Sequence, residues 1–528
     1  MSEPTKSSED PVAVAHLEHS QLDHGNDKVP QSAIARFTEN EKLMSTRQAA
    51  KVYRRVLLFS LVPFLCGMTY GYDTVASSAT MAMPAFLLSF GATNPTTNSL
   101  YVPSLWSALW TALTNLGQAI GSFAMGFVAQ RIGRRYAITS CCLISCAGVA
   151  VQYTASTRWA LLVGKIIGGF SIGGLLAVGT TYASDIAPIR LRGPILQGLV
   201  FFTVLMQGTA LGVIRGFVPD MAPKAWKMVF AIQWIVAGLP LLVLLIPESP
   251  VWLLSKGRLG DARESLVRLY GKDNSIDIRL ELLRQTLEME DNSRTGDTEA
   301  SFLECFRAHN LRRTMTVCMM LFGIGMTGVA FLNQNTYFLL TLGLPAVHAF
   351  DIGIGGFFLA CLVIAGGWFF NDQIGRRRLW LTGLMGNIVG MSVVGGLGFV
   401  HNNAGLWSVA VLMNLLIPWQ LYTCTGTAWT IAPEISSYRL RQYTQSLSYF
   451  VQAVSNYIFH MVVPYLYNTD SANLGAKTGF VFAGLSACLF VVSWFLVPDT
   501  TGLSVEEIDC AYRERVSPRK FRVWAERV

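Results

Sequence analysis

"VAQRIGRRYAITS", residues 128–140, sets Arg131, Arg134 and Arg135 between two long apolar runs. A helix needs about 20 mostly apolar residues to cross a bilayer, and arginines gather at the ends that stay on the cytoplasmic side. The stretch therefore reads as the turn between two membrane-spanning helices. It also has an echo. "RIGRR" at 131–135 returns as "QIGRRR" at 373–378, "IRLR" at 189–192 as "YRLR" at 438–441, and "PESP" at 247–250 as "PDTT" at 498–501. The offsets are 242, 249 and 251 residues, in the same order along the chain. Such parallel repeats predict a duplicated unit with a transport site between its two copies.

Twelve apolar runs follow from this reading: 56–83, 105–129, 136–154, 159–183, 195–217, 227–246, 314–340, 350–370, 380–400, 406–431, 445–467 and 478–497. The predicted fold class is an all-α membrane protein with twelve transmembrane helices in two six-helix halves. Its parts are a disordered cytoplasmic tail (1–53), an N-terminal half (54–246), a linker with short helices (247–312), a C-terminal half (313–497) and a C-terminal tail (498–528). Alternate connections carry Arg131, Arg134, Arg135, Arg190, Arg192, Arg376, Arg377, Arg378, Arg439 and Arg441, whereas the opposite ones are poor in charge. This asymmetry predicts cytoplasmic termini and a multi-pass protein of the cell membrane.

Composition agrees. Of 528 residues, 52% are hydrophobic and 14% charged, against about 25% charged in soluble domains. The net charge of +8 sits at the ends of apolar runs and needs no nucleic acid to explain it. The ten cysteines show no CxxC pair or metal-ligand spacing and read as small reduced core residues. No nucleophile constellation, metal cluster or phosphate loop marks an enzyme, and no cofactor is expected. The expected partners are a lipid bilayer, a proton and a small-molecule substrate, with the protein a monomer.

One carboxylate stands inside the first apolar run, Asp73 in "FLCGMTYGYDTVASSA", residues 64–79. An acid in a membrane span is costly and marks function by default. Two readings are open: a break in the helix with Asp73 capping its next half, or a proton carrier.

Together "GYDT" (71–74), "RIGRR" (131–135), "YASDIAPIRLRG" (182–193), "PESPVWLLSKGR" (247–258), "GRRR" (375–378) and "APEISSYRLR" (432–441) resemble the sugar porter family of the major facilitator superfamily. The resemblance covers residues 54–524 and is strongest to the fungal alpha-glucoside (maltose-type) permeases. "NLGAKTGF" (473–480) and "RERVSPRKF" (513–521) add to it. It implies alternating access and uptake of a sugar, an alpha-glucoside such as maltose or a hexose, together with a proton. The alternative is another small metabolite on the same scaffold, including export of a secondary metabolite.

The resemblance also implies roles. Asp73 would carry the proton, coupled to Lys165, where the wider family has Arg. Arg134, Arg135, Arg192, Arg376, Arg377 and Arg441 would form a cytoplasmic gate with Asp185, Glu248, Glu434 and Asp499. The same arginines also serve simply as a topology signal. Gln130, Gln373, Val251 and Thr501 stand where the family has charged residues. The substrate would meet Gln207, Asn333, Gln334, Asn335, Trp429 and Gln452, although Trp429 also reads as packing. The seventh run departs from the family: "GIGMTG" holds Ile324 and Gly325 where sugar porters have Gln.

Overall fold

The computed structural model describes residues 31–93, 100–271, 275–292, 302–400, 402–437, 440–467, 472, 474–503 and 505–525. Arg439 and residues 1–30 of the tail lie outside this set, as does the side chain of Gln373. The N-terminal half comprises α1 (Arg54–Ala79), α2 (Ser104–Ile132), α3 (Arg134–Thr154), α4 (Arg158–Ile186), α5 (Arg192–Phe217) and α6 (Pro223–Gly238). The C-terminal half comprises α7 (Ala308–Met326), α8 (Ala346–Ile374), α9 (Arg376–Leu397), α10 (Asn403–Gln420), α11 (Arg441–Tyr467) and α12 (Thr478–Leu496). A two-residue antiparallel pairing, Ala92–Thr93 with Leu100–Tyr101, lies between α1 and α2.

Among the described residues, nine helices are long and apolar enough to span a membrane by length and composition. The helices α2, α7 and α11 complete the twelve. The shortfall in α11 has a physical cause: Arg441, Gln442, Gln445, Gln452 and Asn456 are buried there, turned into protein rather than lipid. The two halves meet where α2 packs on α11 and α5 on α8.

One of the two open readings of Asp73 falls away, and two expectations are corrected. The helix does not break at "GMTYGYD": α1 runs unbroken through Asp73, which therefore caps nothing. The seventh run is not one helix. It continues from α7 as Val329–Asn333 and Asn335–Thr341, after a turn at Gly328 with φ 89°. Residues 31–52, expected within a disordered tail, form the helices Gln31–Leu43 and Thr46–Val52. Tertiary contacts hold them: Ala49 is fully buried, and Arg279 of the linker reaches Glu41. The linker itself folds as Pro250–Ser255, Leu259–Tyr270, Ser275–Asn292 and Phe302–Phe306.

The tenth span is also irregular. Pro418 lacks the N–H that a regular turn needs, and Leu421–Thr425 winds as a wide π turn before the helix resumes over Gly426–Ile435. Such turns inside α-helices often sit at functional sites. This one leads directly to Trp429.

Candidate functional site: a central polar cavity and a closed arginine-rich end

A cavity of about 410 Å³, its open mouth included, lies between the halves. Asp73 lines it from α1, with Tyr70 and Thr74. Thr111, Thr114, Asn115 and Gln118 line it from α2, their spacing of three, one and three residues being one helical face. From the C-terminal half come Asn333, Asn456 and His460.

Asp73 is 2% exposed. Gln233 on α6 donates from Nε2 to its Oδ1 at 2.7 Å, while Oδ2 is buried without a hydrogen-bond partner. Lys165, equally buried, donates from Nζ to Ser77 O at 3.4 Å. It acts on Asp73 through its charge, and the direct hold on the carboxylate is Gln233. Gln233 was missed in the sequence. Its signal was a lone amide in the apolar stretch "VFAIQWIVAG".

Of the six expected substrate residues, only Asn333 lines the cavity with Asp73. Gln334 accepts from Tyr467 Oη at 2.9 Å and so serves the fold. Gln207, Asn335 and Gln452 are buried with side-chain oxygens that have no partner. Trp429 lies between Tyr70, tilted against it, and Tyr449, edge-on to it, with ring centroids 6.0 and 5.9 Å away, and its Nε1 has no partner. The row joins both halves, since Tyr70 is on α1. The missing Gln of the seventh span has a packing correlate. A Cβ on Gly325 would press on Ser455 and Phe459 of α11, and Ser455 Oγ donates to Phe322 O at 2.7 Å. The side chains of Ser455 and Phe459 on α11 fill the room that a side chain at this position would need.

The arginine-rich end is closed by a duplicated network. In the N-terminal half Asp185 lies between Arg134 Nε at 3.5 Å and Arg441 Nη1 at 3.1 Å, the second from the other half. Ser249 Oγ donates to the same carboxylate at 2.8 Å. In the C-terminal half Arg376 pairs with Glu434. Arg135 donates to Leu244 O, and its echo Arg377 donates to Val497 O at 2.5 Å. Arg192 is buried and lines a neighbouring cavity with Arg376 and Glu434.

Two expected gate acids work differently. Glu248 accepts from the backbone N–H of Arg134 and Arg135, each at 3.1 Å, and so caps the start of α3. Burial pushes this carboxyl above its ordinary range, against the pull of the Ser249 N–H and the Arg134 charge. At the start of α9 the capping atom is Thr501 Oγ1, 2.9 Å from Arg376 N, and Asp499 accepts from that hydroxyl at 2.7 Å. Threonine here caps the helix where the family's Lys would add charge. Gly133 and Gly375 precede the two helices with φ 100° and 83°. A side chain at Gly133 would collide with the Glu248 carboxylate.

Comparison with known proteins agrees with this architecture. The profile of the family described as Sugar (and other) transporter matches residues 59–512. The Aspergillus fumigatus protein named MFS transporter fmqE is 50% identical over 520 residues, covering 97% of this chain and 96% of that one. The general alpha-glucoside permease of Saccharomyces cerevisiae is 29% identical over 497 residues, covering 91% and 79%. Among solved structures, the proton:xylose symporter XylE bound to 6-bromo-6-deoxy-D-glucose aligns with a TM-score of 0.74 at 19% identity, covering 87% of this chain and all of that one. The human organic anion transporter MFSD10 aligns at 0.56 and 15% identity, covering 84% and 99%. Those two likenesses concern the fold. With the family profile spanning both halves and the motifs in their places, the chain belongs to the sugar (and other) transporter family of the major facilitator superfamily.

Proposed function

We propose that this transporter takes up a sugar, an alpha-glucoside or a hexose, together with a proton, and that Asp73 is the proton site. The carrying observation is Oδ2 of Asp73, a buried carboxylate oxygen without a partner in the wall of a polar cavity between the halves. Such an atom can take up a proton, and a solute seated beside it completes the charge and hydrogen-bond balance. Lys165 supplies the opposing charge. Asn333, which alone of the six expected substrate residues lines that cavity, is the best placed of them; in this reading Trp429 adds an aromatic face, and Gln207, Asn335 and Gln452 add unpartnered side-chain oxygens. The names of the alpha-glucoside permease and the xylose symporter support the substrate class.

In this reading Arg134, Arg135, Asp185, Arg192, Glu248, Arg376, Arg377, Glu434, Arg441 and Asp499 form the gate. The arginine-rich end and both termini face the cytoplasm, the protein works as a monomer in the cell membrane, and breaking the inter-half ion pair opens the inner side.

A second reading, another small metabolite including an exported one, is favoured by the close approach of α11 at Gly325, which takes the room of a sugar-binding amide. Uptake of a radiolabelled panel of mono- and disaccharides, at varied external pH in a host without its own permeases, separates the two. Acid-stimulated accumulation of a panel sugar supports the first. No accumulation by protein that reaches the surface leaves the second.

A further inference from the structure

Four hydroxyls turn acceptors toward the cavity beside Asp73, whose wall also holds the unpartnered Ser77 hydroxyl and the amides Asn115, Gln118 and Asn333. On α1 the hydroxyl of Thr74 donates to Tyr70 O at 2.8 Å, and that of Ser78 to Thr74 O at 3.0 Å. On α2 Thr111 donates to Ser107 O at 2.8 Å and Thr114 to Trp110 O at 2.7 Å. A hydroxyl has one proton and two lone pairs. Each of these has committed its proton to its own helix, so it turns only lone pairs toward a solute. Asp73 Oδ2 adds another acceptor while the carboxylate is unprotonated. All of these belong to the N-terminal half.

His460 faces them from α11. Its Nδ1 lies 2.9 Å from Asn456 O, one turn earlier on the same helix. A carbonyl oxygen can only accept, so Nδ1 carries the hydrogen. In the neutral ring Nε2 is then a lone pair. Asn456 itself is 5% exposed, lines the same cavity, and has a buried Oδ1 without a partner. The C-terminal wall therefore also offers acceptors, beside the N–H groups of its amides Asn333 and Asn456.

We infer that His460, held by Asn456 as the Nδ1–H tautomer, accepts a hydrogen bond through Nε2 from an O–H or N–H of the transported solute and is a specificity-determining residue of the C-terminal half. This rests on the proposed reading of the cavity as the transport site. It narrows the solute class. A polyol can give a proton to each wall at once. A ketone, an ether or a carboxylate anion would set its lone pair against that of His460 Nε2. The His460 acceptor thus requires an O–H or N–H on the side of the solute that faces α11.

Two measurements on the full chain test the assignment. In the first, purified protein in lipid nanodiscs is treated with diethyl pyrocarbonate at about pH 7, where a neutral imidazole nitrogen reacts, and His460 is followed by peptide mass spectrometry. Exposed His348 is the reference. Carbethoxylation of both supports an open Nε2. Modification of His348 with His460 untouched overturns the assignment. In the second, transport of whichever panel sugar the wild type carries is measured. His460→Leu should raise KM about tenfold with little change in maximal rate, and His460→Gln, which restores an acceptor, should stay within about threefold. An unchanged KM in His460→Leu also overturns the assignment. If the wild type carries no panel sugar, the proposed substrate class fails, and diethyl pyrocarbonate alone decides on His460.

Discussion

Arg441 of the C-terminal half places Nη1 3.1 Å from Asp185 Oδ1 of the N-terminal half, and both side chains are fully buried. Arg134 shares the same carboxylate. Removing one partner of a buried ion pair costs about 3–5 kcal/mol, because it strands the other charge. Asp185→Asn takes the shared carboxylate from two guanidinium groups, and only in the closed arrangement. We expect it to shift the protein toward opening of the arginine-rich end. A cysteine in place of Ser446, which lies against Gly126 where α2 meets α11, reports this directly. Maleimide labelling of that cysteine should rise at least about tenfold in Asp185→Asn. Equal labelling rates would show that the ion pair does not hold the halves together.

Glu248 gives a pH dependence with a definite sign. Burial raises its carboxyl above the ordinary range, so the folded protein holds the proton more tightly than the unfolded chain. The resulting stabilisation is complete below the ordinary carboxylate value of about 4.3 and is lost as pH rises through the raised value. Glu248→Gln cannot titrate. In thermal unfolding followed from about pH 4 to about pH 8, the variant should gain on the wild type as pH rises. Parallel curves would mean that the three N–H donors around the carboxylate cancel the effect of burial.

Arg279 ties the N-terminal helix to the linker. Its guanidinium lies 4.2 Å from the ring centroid of Tyr270, 4.8 Å from Phe37 and 5.0 Å from Tyr53, and it donates to Tyr53 Oη at 2.8 Å. Tyr270 Oη in turn donates to Ile186 O, at the end of the helix that carries Asp185. A desolvated cation over aromatic faces contributes about 2 kcal/mol. Arg279→Gln should therefore speed tryptic cleavage after exposed Arg36 by about tenfold or more. Arg279→Lys should behave similarly, since a point charge cannot stack as a planar fork does. A lysine variant as resistant as the wild type would reduce the site to simple charge.

The twelve spans and the duplication were legible because apolar run length and arginine placement are properties of the chain itself. The network at the arginine-rich end was legible in its arginines and less so in its acids. Glu248 and Thr501 turned out to cap helix starts, which depends on how the loop at 247–250 folds back onto α3 and that at 498–501 onto α9. The partner of Asp73 was illegible for a similar reason. Gln233 lies 160 positions away on another helix, and nothing local marks an amide as facing a carboxylate. His460 looked like any polar residue in an apolar run. The α2 face of Thr111, Thr114, Asn115 and Gln118 was readable from its spacing alone, because a polar stripe on a membrane helix must turn away from lipid. The helicity of residues 31–52 was only faintly marked, by the Ser45–Gln48 capping box, and rests largely on contacts such as Arg279 with Glu41.

The central claim is that Asp73 couples the proton to the solute, and Asp73→Asn in reconstituted vesicles tests it most directly. With a solute that the wild type concentrates under an inward proton gradient, the variant should lose uphill accumulation while still exchanging labelled for unlabelled solute, since the asparagine keeps the size of the side chain but holds no exchangeable charge. Accumulation by Asp73→Asn at the wild-type level would contradict the account.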